Sequence, residues 1–241
     1  MSPTTAAERL YKEGRLSDAI AALGNVLRDD PSDVRSRTFL FELLCFAGAY
    51  DRAAKQLGAL ASADAETVIS AAWYQEALLA QVQRQEMFET GQLPAAGVDV
   101  SVSGTLNGKP FSDLRDADPR IGARMETIVG GRYTWFPFRH LERVEIKPPE
   151  RLRDLFWAPA EIETTEELEG YSGDVLLPVM TPFAWRHPDE PVRLGRVTEW
   201  SELDGGVEVP EGQKIWLVDG EDIPILEVRS LMINVASDGT K

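Results

Sequence analysis

The sequence predicts an α+β protein, with a helical repeat domain at residues 1–92 followed by a compact, mainly antiparallel β domain with two short helices at residues 98–241. The first observation behind this prediction is an internal repeat within the helical part. The second is a change of pattern after a linker marked by Gly91, Pro94 and Gly97, beyond which short apolar segments alternate with Gly and Pro.

The repeat has a period of 34 residues, which is the length of a tetratricopeptide unit. Small residues allow the two helices of a hairpin to approach closely, and glycine ends the first helix where the chain must turn. The pattern therefore predicts a tetratricopeptide-like pair, whose first helices cover about residues 4–13 and 33–46. The recurring pairs are Leu10 and Leu44, Gly14 and Gly48, Ala19 and Ala53, and Leu23 and Leu57.

A further helix is predicted from about residue 65 to residue 89, since neither Gly nor Pro interrupts the segment. It departs from the repeat, because Val82 occupies the position of Gly14 and Gly48. We interpret it as the capping helix that covers the last apolar face of the array. The predicted apolar face consists of Val68, Ile69, Ala72, Trp73, Leu79, Ala80 and Val82.

The second half begins with alternating valines at residues 98–102, which predict a half-buried strand. Asn107-Gly108 predicts a hairpin turn, because both residues tolerate positive φ. Asp118 is placed to cap a short helix over residues 118–129. The RYTWF segment at residues 132–136 predicts a strand, because aromatic and β-branched residues suit a half-buried sheet.

Alternation at residues 144–146 predicts a further strand, and Pro149 predicts the start of a second short helix that Pro159 ends. The remaining strands are predicted from short apolar runs between Gly and Pro. These strands cover residues 160–165, 175–180, 192–197, 215–218 and 225–233.

Composition limits the classes of partner. The chain has 241 residues and a net charge of −15, and this charge disfavours nucleic acid and anionic membranes as partners. It favours a basic partner surface through electrostatic steering, or it serves solubility alone. The single cysteine, Cys45, excludes a disulfide within one chain and lies among apolar residues, which favours a buried thiol. With neither a signal peptide nor a membrane-length apolar run, we expect a cytoplasmic protein.

Residues that could carry chemistry are few. Asp116, Asp118 and Asp154 could form an acid–base pair or hold a cation, and an enzyme with a carboxylate site is one hypothesis. Against it, Asp118 suits a helix cap, and neither His140 nor His187 has a second soft ligand nearby. We therefore predict no enzyme activity, no metal and no cofactor.

Four segments together resemble the ImpE family, also called TagJ, of type VI secretion accessory proteins. They are DADPR at 116–120, RYTWFPF at 132–138, PPERLRDLFWAPA at 148–160 and RLGRVTEW at 193–200. The resemblance implies a non-enzymatic adaptor that binds a helix of the small subunit of the contractile sheath. It also implies an effect on sheath disassembly by an AAA+ ATPase. The alternative is a tetratricopeptide-like scaffold that acts outside secretion.

In tetratricopeptide arrays the first helix of each pair lines a concave groove, and this spacing selects the candidate binding residues. Some such grooves hold a partner's C-terminal carboxylate with Lys, Arg and Asn, but Glu8 and Glu42 stand where Asn would be. We therefore predict an amphipathic helix as the ligand. The opposing hypothesis is that the array only packs on the β domain. The candidates are Glu8, Tyr11, Lys12, Arg35, Thr38, Glu42 and Glu76.

Overall fold

The computed structural model describes residues 3–60, 65–95, 100–203 and 205–234. Of the five long helices, the first four form two hairpins and the fifth follows them alone, as the repeat predicts. None of the helices within these ranges combines the length and hydropathy needed to cross a membrane. The helices are α1 (Pro3–Lys12), α2 (Leu16–Asp29), α3 (Val34–Phe46), α4 (Tyr50–Leu60) and α5 (Ala65–Thr90).

The hairpin turns follow the predicted chemistry. Gly14 and Gly48 have φ values of +80° and +66°, the left-handed conformation that ends a helix and favours glycine. Asp33 caps α3, because its carboxylate accepts a hydrogen bond of 3.1 Å from the Ser36 amide. Local sequence therefore defines both the end of each first helix and the start of the second repeat.

The predicted apolar face of α5 is largely wrong. Trp73, Leu79 and Val82 are 41%, 62% and 44% exposed, and Ala72 is also exposed, whereas Ala80 is buried as predicted. The side chains of Val68 and Ile69 lie outside the described residues. Because α5 packs on both α4 and the β domain, its buried surface includes polar groups that find partners there. The buried residues are Ala71, Tyr74, Ala77, Leu78, Ala80, Gln81, Arg84 and Phe88.

An eight-stranded antiparallel sheet dominates the second half, with strand order β2-β1-β13-β6-β7-β8-β4-β5. Its strands are β1 (Gly104–Leu106), β2 (Lys109–Phe111), β4 (Arg124–Val129), β5 (Arg132–Pro137), β6 (Leu141–Ile146), β7 (Trp157–Thr164), β8 (Ser172–Pro178) and β13 (Ser230–Ile233). A three-stranded sheet and a two-stranded hairpin complete the domain. They comprise β3 (Leu114–Asp116), β11 (Ile215–Val218) and β12 (Glu221–Pro224), and β9 (Glu199–Leu203) and β10 (Val207–Glu211).

Of the two short helices predicted in the β domain, the first is wrong and the second is shorter than predicted. Asp118 caps only a turn, in which its carbonyl accepts the amides of Ile121 and Gly122 at 2.9 and 3.0 Å. The rest of the segment is β4, which pairs with β5 over its whole length. The segment after Pro149 forms only a 3-10 turn at Leu152–Leu155, because the Asp154 carboxylate instead holds the extended backbone before the turn.

Three strand predictions also need correction. Residues 192–197 form no strand; a helical turn, α6 (Glu190–Arg193), takes their first part. The strand predicted for 225–233 begins only at Ser230, after a 3-10 turn at Ile225–Glu227. Of the strand predicted at 98–102, residues 98 and 99 lie outside the described ranges, and residues 100–102 are not part of a strand. The Asn107-Gly108 hairpin and the strands near 132–136, 144–146, 160–165, 175–180 and 215–218 are confirmed.

The apolar core has two parts, separated by the large sheet. In β8, Leu176 packs with the helices, whereas Val175 and Leu177 pack on the opposite side with Trp216. This alternation is the period-two pattern of a strand buried on both faces. The first core is shared by the helices and the sheet, so the two halves pack as one structure. The division of the chain into two separate domains at residues 93–97 remains a prediction.

A segment of the β domain, residues 183–196, contacts the turns of both helical hairpins. The ring of Trp185 lies against Gly48, and a Cβ added there would be 2.4 Å from the ring. Glu190 accepts a hydrogen bond of 2.9 Å from the Ser17 amide in the first turn of α2. The corresponding turns of the two hairpins are therefore both held in place by residues 183–196.

Candidate functional site

A groove of about 460 Å³ opens between α1 and α3. Helical spacing places its residues in two rows, one on each helix, because positions three or four apart share a face. The turn at Leu152–Leu155 closes one part of it. The lining residues are Glu8, Tyr11 and Lys12 of α1, Arg35, Thr38, Phe39 and Glu42 of α3, and Leu152 of the β domain.

Aromatic residues form the apolar part of the groove. Tyr11 and Phe39 pack edge to face, with ring centroids 5.9 Å apart. The Arg196 guanidinium lies 4.7 Å from the Tyr11 ring centroid and donates hydrogen bonds to the Tyr11 and Lys12 carbonyls at 2.5 and 3.0 Å. Arg196 thereby satisfies carbonyls at the C-terminus of α1, where a cation is favoured, and fixes Tyr11 in place.

The charges that line the groove balance one another. Glu8 pairs with Arg35 at 2.6 Å on the rim, where Arg35 is 77% exposed. Lys12 and Glu42 add one charge of each sign. The groove is therefore not acidic as a whole, although the chain carries a net charge of −15. Its most distinctive charge is that of Glu42, because this carboxylate is buried.

Glu42 forms an ion pair with Arg153 of the β domain, with a nitrogen–oxygen distance of 3.3 Å. Burial raises the pKa of the Glu42 carboxyl to about 7, although Arg153 lowers it. The Arg153 guanidinium also lies 4.7 Å from the Tyr74 ring centroid, and its buried Nε atom has no hydrogen-bond partner among the described residues. For Glu42, burial therefore outweighs the stabilisation that Arg153 provides through both its side chain and its backbone N–H.

The structure brings six of the seven candidate binding residues together. Glu76 is the exception: it lies on α5 and its side chain packs against Gly131, in the turn between β4 and β5. The candidates predicted from the sequence did not include Phe39 and Leu152, which line the groove, or Arg153, which pairs with Glu42. Phe39 could have been found, because it follows Arg35 by one helical turn. Leu152 and Arg153 reach the groove only through packing of the two halves.

The suggested carboxylate site is not assembled. Asp116 pairs with Lys214 at 2.6 Å, and Asp118 pairs with Arg120 at 2.6 Å. Asp154 lies in a different turn, where it accepts the amides of Glu150 and Arg151 at 2.9 Å. The Asp116 carboxylate also accepts the Asp118 amide at 2.9 Å, so these two residues share one local structure, but each carboxylate has its own cation and Asp154 holds a different turn. Within the described ranges, no three His, Cys, Asp or Glu side chains converge as a metal site would require.

A buried charge network connects α5 to the sheet. Arg84 donates two hydrogen bonds to Glu126, at 2.7 and 3.0 Å, and Lys214 contacts both Glu126 and Asp116. The two cations and two carboxylates balance, which is the arrangement that buried charges require. Burial raises the pKa of Asp116 to about 6, whereas Arg84 and Lys214 lower the pKa of Glu126 to about 2. This network fixes the helical part on the β domain.

The fold defines a tetratricopeptide-like repeat protein with an antiparallel β domain, a class in which the repeats provide a concave binding surface. A tetratricopeptide repeat profile matches residues 10–82, and the profile described as ImpE protein matches residues 108–232. The chain is 33% identical over 259 aligned positions to the type VI secretion system accessory component TagJ of Pseudomonas aeruginosa, covering 93% of this chain and 90% of that protein. The chain therefore belongs to the ImpE/TagJ family.

A solved structure shows the same fold. The crystal structure of a Vibrio parahaemolyticus protein matches with a TM-score of 0.84 and 23% sequence identity, covering 95% of this chain and 97% of that protein. The agreement extends over nearly the whole chain. The combination of helical repeats and β domain is therefore one fold shared by both proteins.

Proposed function

We propose that the protein is a non-enzymatic accessory component of a type VI secretion system, which binds a helix of the small sheath subunit in the groove between α1 and α3. The observation that carries this proposal is the groove itself, where Tyr11, Phe39 and Leu152 provide apolar contacts beside charged rims. Its volume of about 460 Å³ accommodates side chains from one face of a helix. We infer the role in type VI secretion from membership of the ImpE/TagJ family.

The composite nature of the groove supports a role for the whole chain in binding. Leu152 and Arg153 come from the β domain, and Arg196 from the same domain fixes Tyr11. A helix held there would be withdrawn from other contacts of the sheath subunit. Through this competition the protein would influence sheath disassembly by the AAA+ ATPase, and a cytoplasmic location is part of the same proposal.

The test uses overlapping peptides that cover the small sheath subunit of the same organism. Each labelled peptide is titrated against the full-length protein and against the variant Thr38→Trp, whose larger side chain fills the groove. We expect one helical peptide to bind the parent and to lose at least tenfold in affinity with the variant, or about 1.4 kcal/mol. Equal affinity for both proteins would place binding elsewhere, and no binding by any peptide would remove the sheath subunit as partner.

A further inference from the structure

The Glu42 carboxylate is an unusual component of a groove wall. Its side chain is 9% exposed, and its ion pair within the described part of the chain is the contact with Arg153 at 3.3 Å. The same Arg153 guanidinium also lies over the Tyr74 ring. A buried carboxylate is costly unless a cation compensates it well.

The groups around Glu42 define what a ligand must supply. Arg153 approaches from the turn at Leu152–Leu155, and Asp154 of the same turn raises the pKa of Glu42. On α3 itself, Glu42 and Cys45 interact, and burial of Cys45 keeps its thiol neutral by raising its pKa. Arg153 is the cation that pairs directly with Glu42, and Asp154 opposes it. Of the other cations that line the groove, Arg35 is already paired with Glu8, and Lys12 of α1 is exposed. An apolar ligand would cover Glu42 and remove its remaining water without adding compensation.

We infer that the groove selects a helix that presents a lysine or arginine to Glu42, as a second counter-ion beside Arg153. This inference rests on the proposed function, since it concerns the chemistry of the helix that the groove binds. The aliphatic stem of such a residue packs between Tyr11 and Leu152 while its charged end reaches the carboxylate. Apolar residues one turn away on the ligand contact Phe39. Glu42 thus determines specificity, whereas the aromatic residues supply general affinity.

The experiment is a selection from displayed helical peptides in which apolar residues are fixed at i, i+4 and i+7 and the other positions are random. The library is selected at pH 8.5 on the full-length protein and, in parallel, on Glu42→Gln, which preserves the shape of the side chain. Clones that bind Thr38→Trp equally well are discarded, so that groove-dependent binders remain. We expect lysine or arginine to be enriched at one position with the parent and not with Glu42→Gln.

A pair of peptides then measures the effect. Replacing the enriched lysine by norleucine should weaken binding to the parent about tenfold and binding to Glu42→Gln less than twofold, since only the parent has the carboxylate. Because the cation favours ionised Glu42, the affinity of the lysine peptide for the parent should rise from pH 6 to pH 8.5. If the groove-dependent clones show no preference for a basic residue, or show the same preference with both proteins, this inference is overturned but the proposed function is not. Absence of any groove-dependent clone would instead contradict the proposed function.

Discussion

Arg84 on α5 and Glu126 on β4 form a two-pronged ion pair in which neither side chain is exposed to solvent. The pair joins the helical repeats to the large sheet, and Lys214 completes the neutralisation of Glu126. Removal of Arg84 leaves a buried carboxylate with one fewer cation. The stability of the junction should therefore depend strongly on this residue.

We predict that Arg84→Met lowers the free energy of unfolding by about 3–5 kcal/mol, because breaking a buried pair leaves an uncompensated charge. Urea denaturation at neutral pH measures the loss. The matched control is Glu89→Gln, also on α5, which removes an exposed ion pair of 2.6 Å to Arg186 and leaves the stacking of Arg186 on Phe183 and Trp185 in place. That variant should lose less than about 1 kcal/mol. Equal losses in the two variants would contradict the structural role of the network.

Gly48→Ala tests the contact between the repeat turn and the β domain. We expect a loss of more than about 1 kcal/mol, because the residue has positive φ and its new Cβ would meet the Trp185 ring. Gly58→Ala is the control within α4, where no atom of the described part of the chain lies within 4 Å of the added Cβ. That change should stabilise the protein by about 0.5–1 kcal/mol. Gly14 also has positive φ, but a Cβ added there would lie 3.6 Å from its nearest neighbour. A larger loss in thermal unfolding for Gly48→Ala than for Gly14→Ala therefore measures the Trp185 contact, and equal losses would contradict it.

Trp157→Ala should lower the free energy of unfolding by about 3–5 kcal/mol, because its side chain is 1% exposed and packs on Phe156 and Tyr74. Trp135→Ala should cost less, since this ring is only half-buried. Trp200, which is 44% exposed, provides the control, and its replacement should change stability by less than about 0.5 kcal/mol. If Trp157→Ala unfolded at the parent temperature, the assignment of Trp157 to the core would be wrong.

The raised pKa of Glu42 predicts a specific dependence of stability on pH. Its folded-state pKa of about 7 exceeds the ordinary 4.5, so folding takes up a proton between these values and this stability contribution is lost as pH rises through 7. Glu42→Gln stays neutral throughout. Relative to the parent, it should therefore gain stability between pH 5 and pH 8.5, by up to about 3 kcal/mol. Parallel pH dependences for the two proteins would show that Glu42 titrates normally.

Local signals account for what the sequence predicted correctly. The 34-residue period gives the helical hairpins, and Asn107-Gly108 gives a hairpin because its turn chemistry is local. The groove residues on α1 and α3 follow from the same period, since equivalent positions of two repeats share a surface. These predictions need no knowledge of how the halves pack.

Tertiary packing explains the errors. β4 lies between β8 and β5, and pairing on both sides outweighs the helical spacing of Met125 and Ile128. The buried face of α5 includes Arg84, which pairs with Glu126 of the β domain, and Gln81, which bonds Trp157 of the β domain and Tyr50 of α4. The spacing of apolar residues alone therefore predicts the wrong buried face. Leu152 and Arg153 reach the groove for the same reason.

Site-specific photocrosslinking tests most directly whether the groove binds the sheath subunit. Benzoylphenylalanine is placed at Arg35 on the groove rim and, as a control, at Leu79 on the exposed face of α5, where the side chain is 62% exposed. We predict that purified small sheath subunit crosslinks to the protein at position 35 through a single helix and not at position 79. Crosslinking at position 79 without crosslinking at position 35 would contradict the claim.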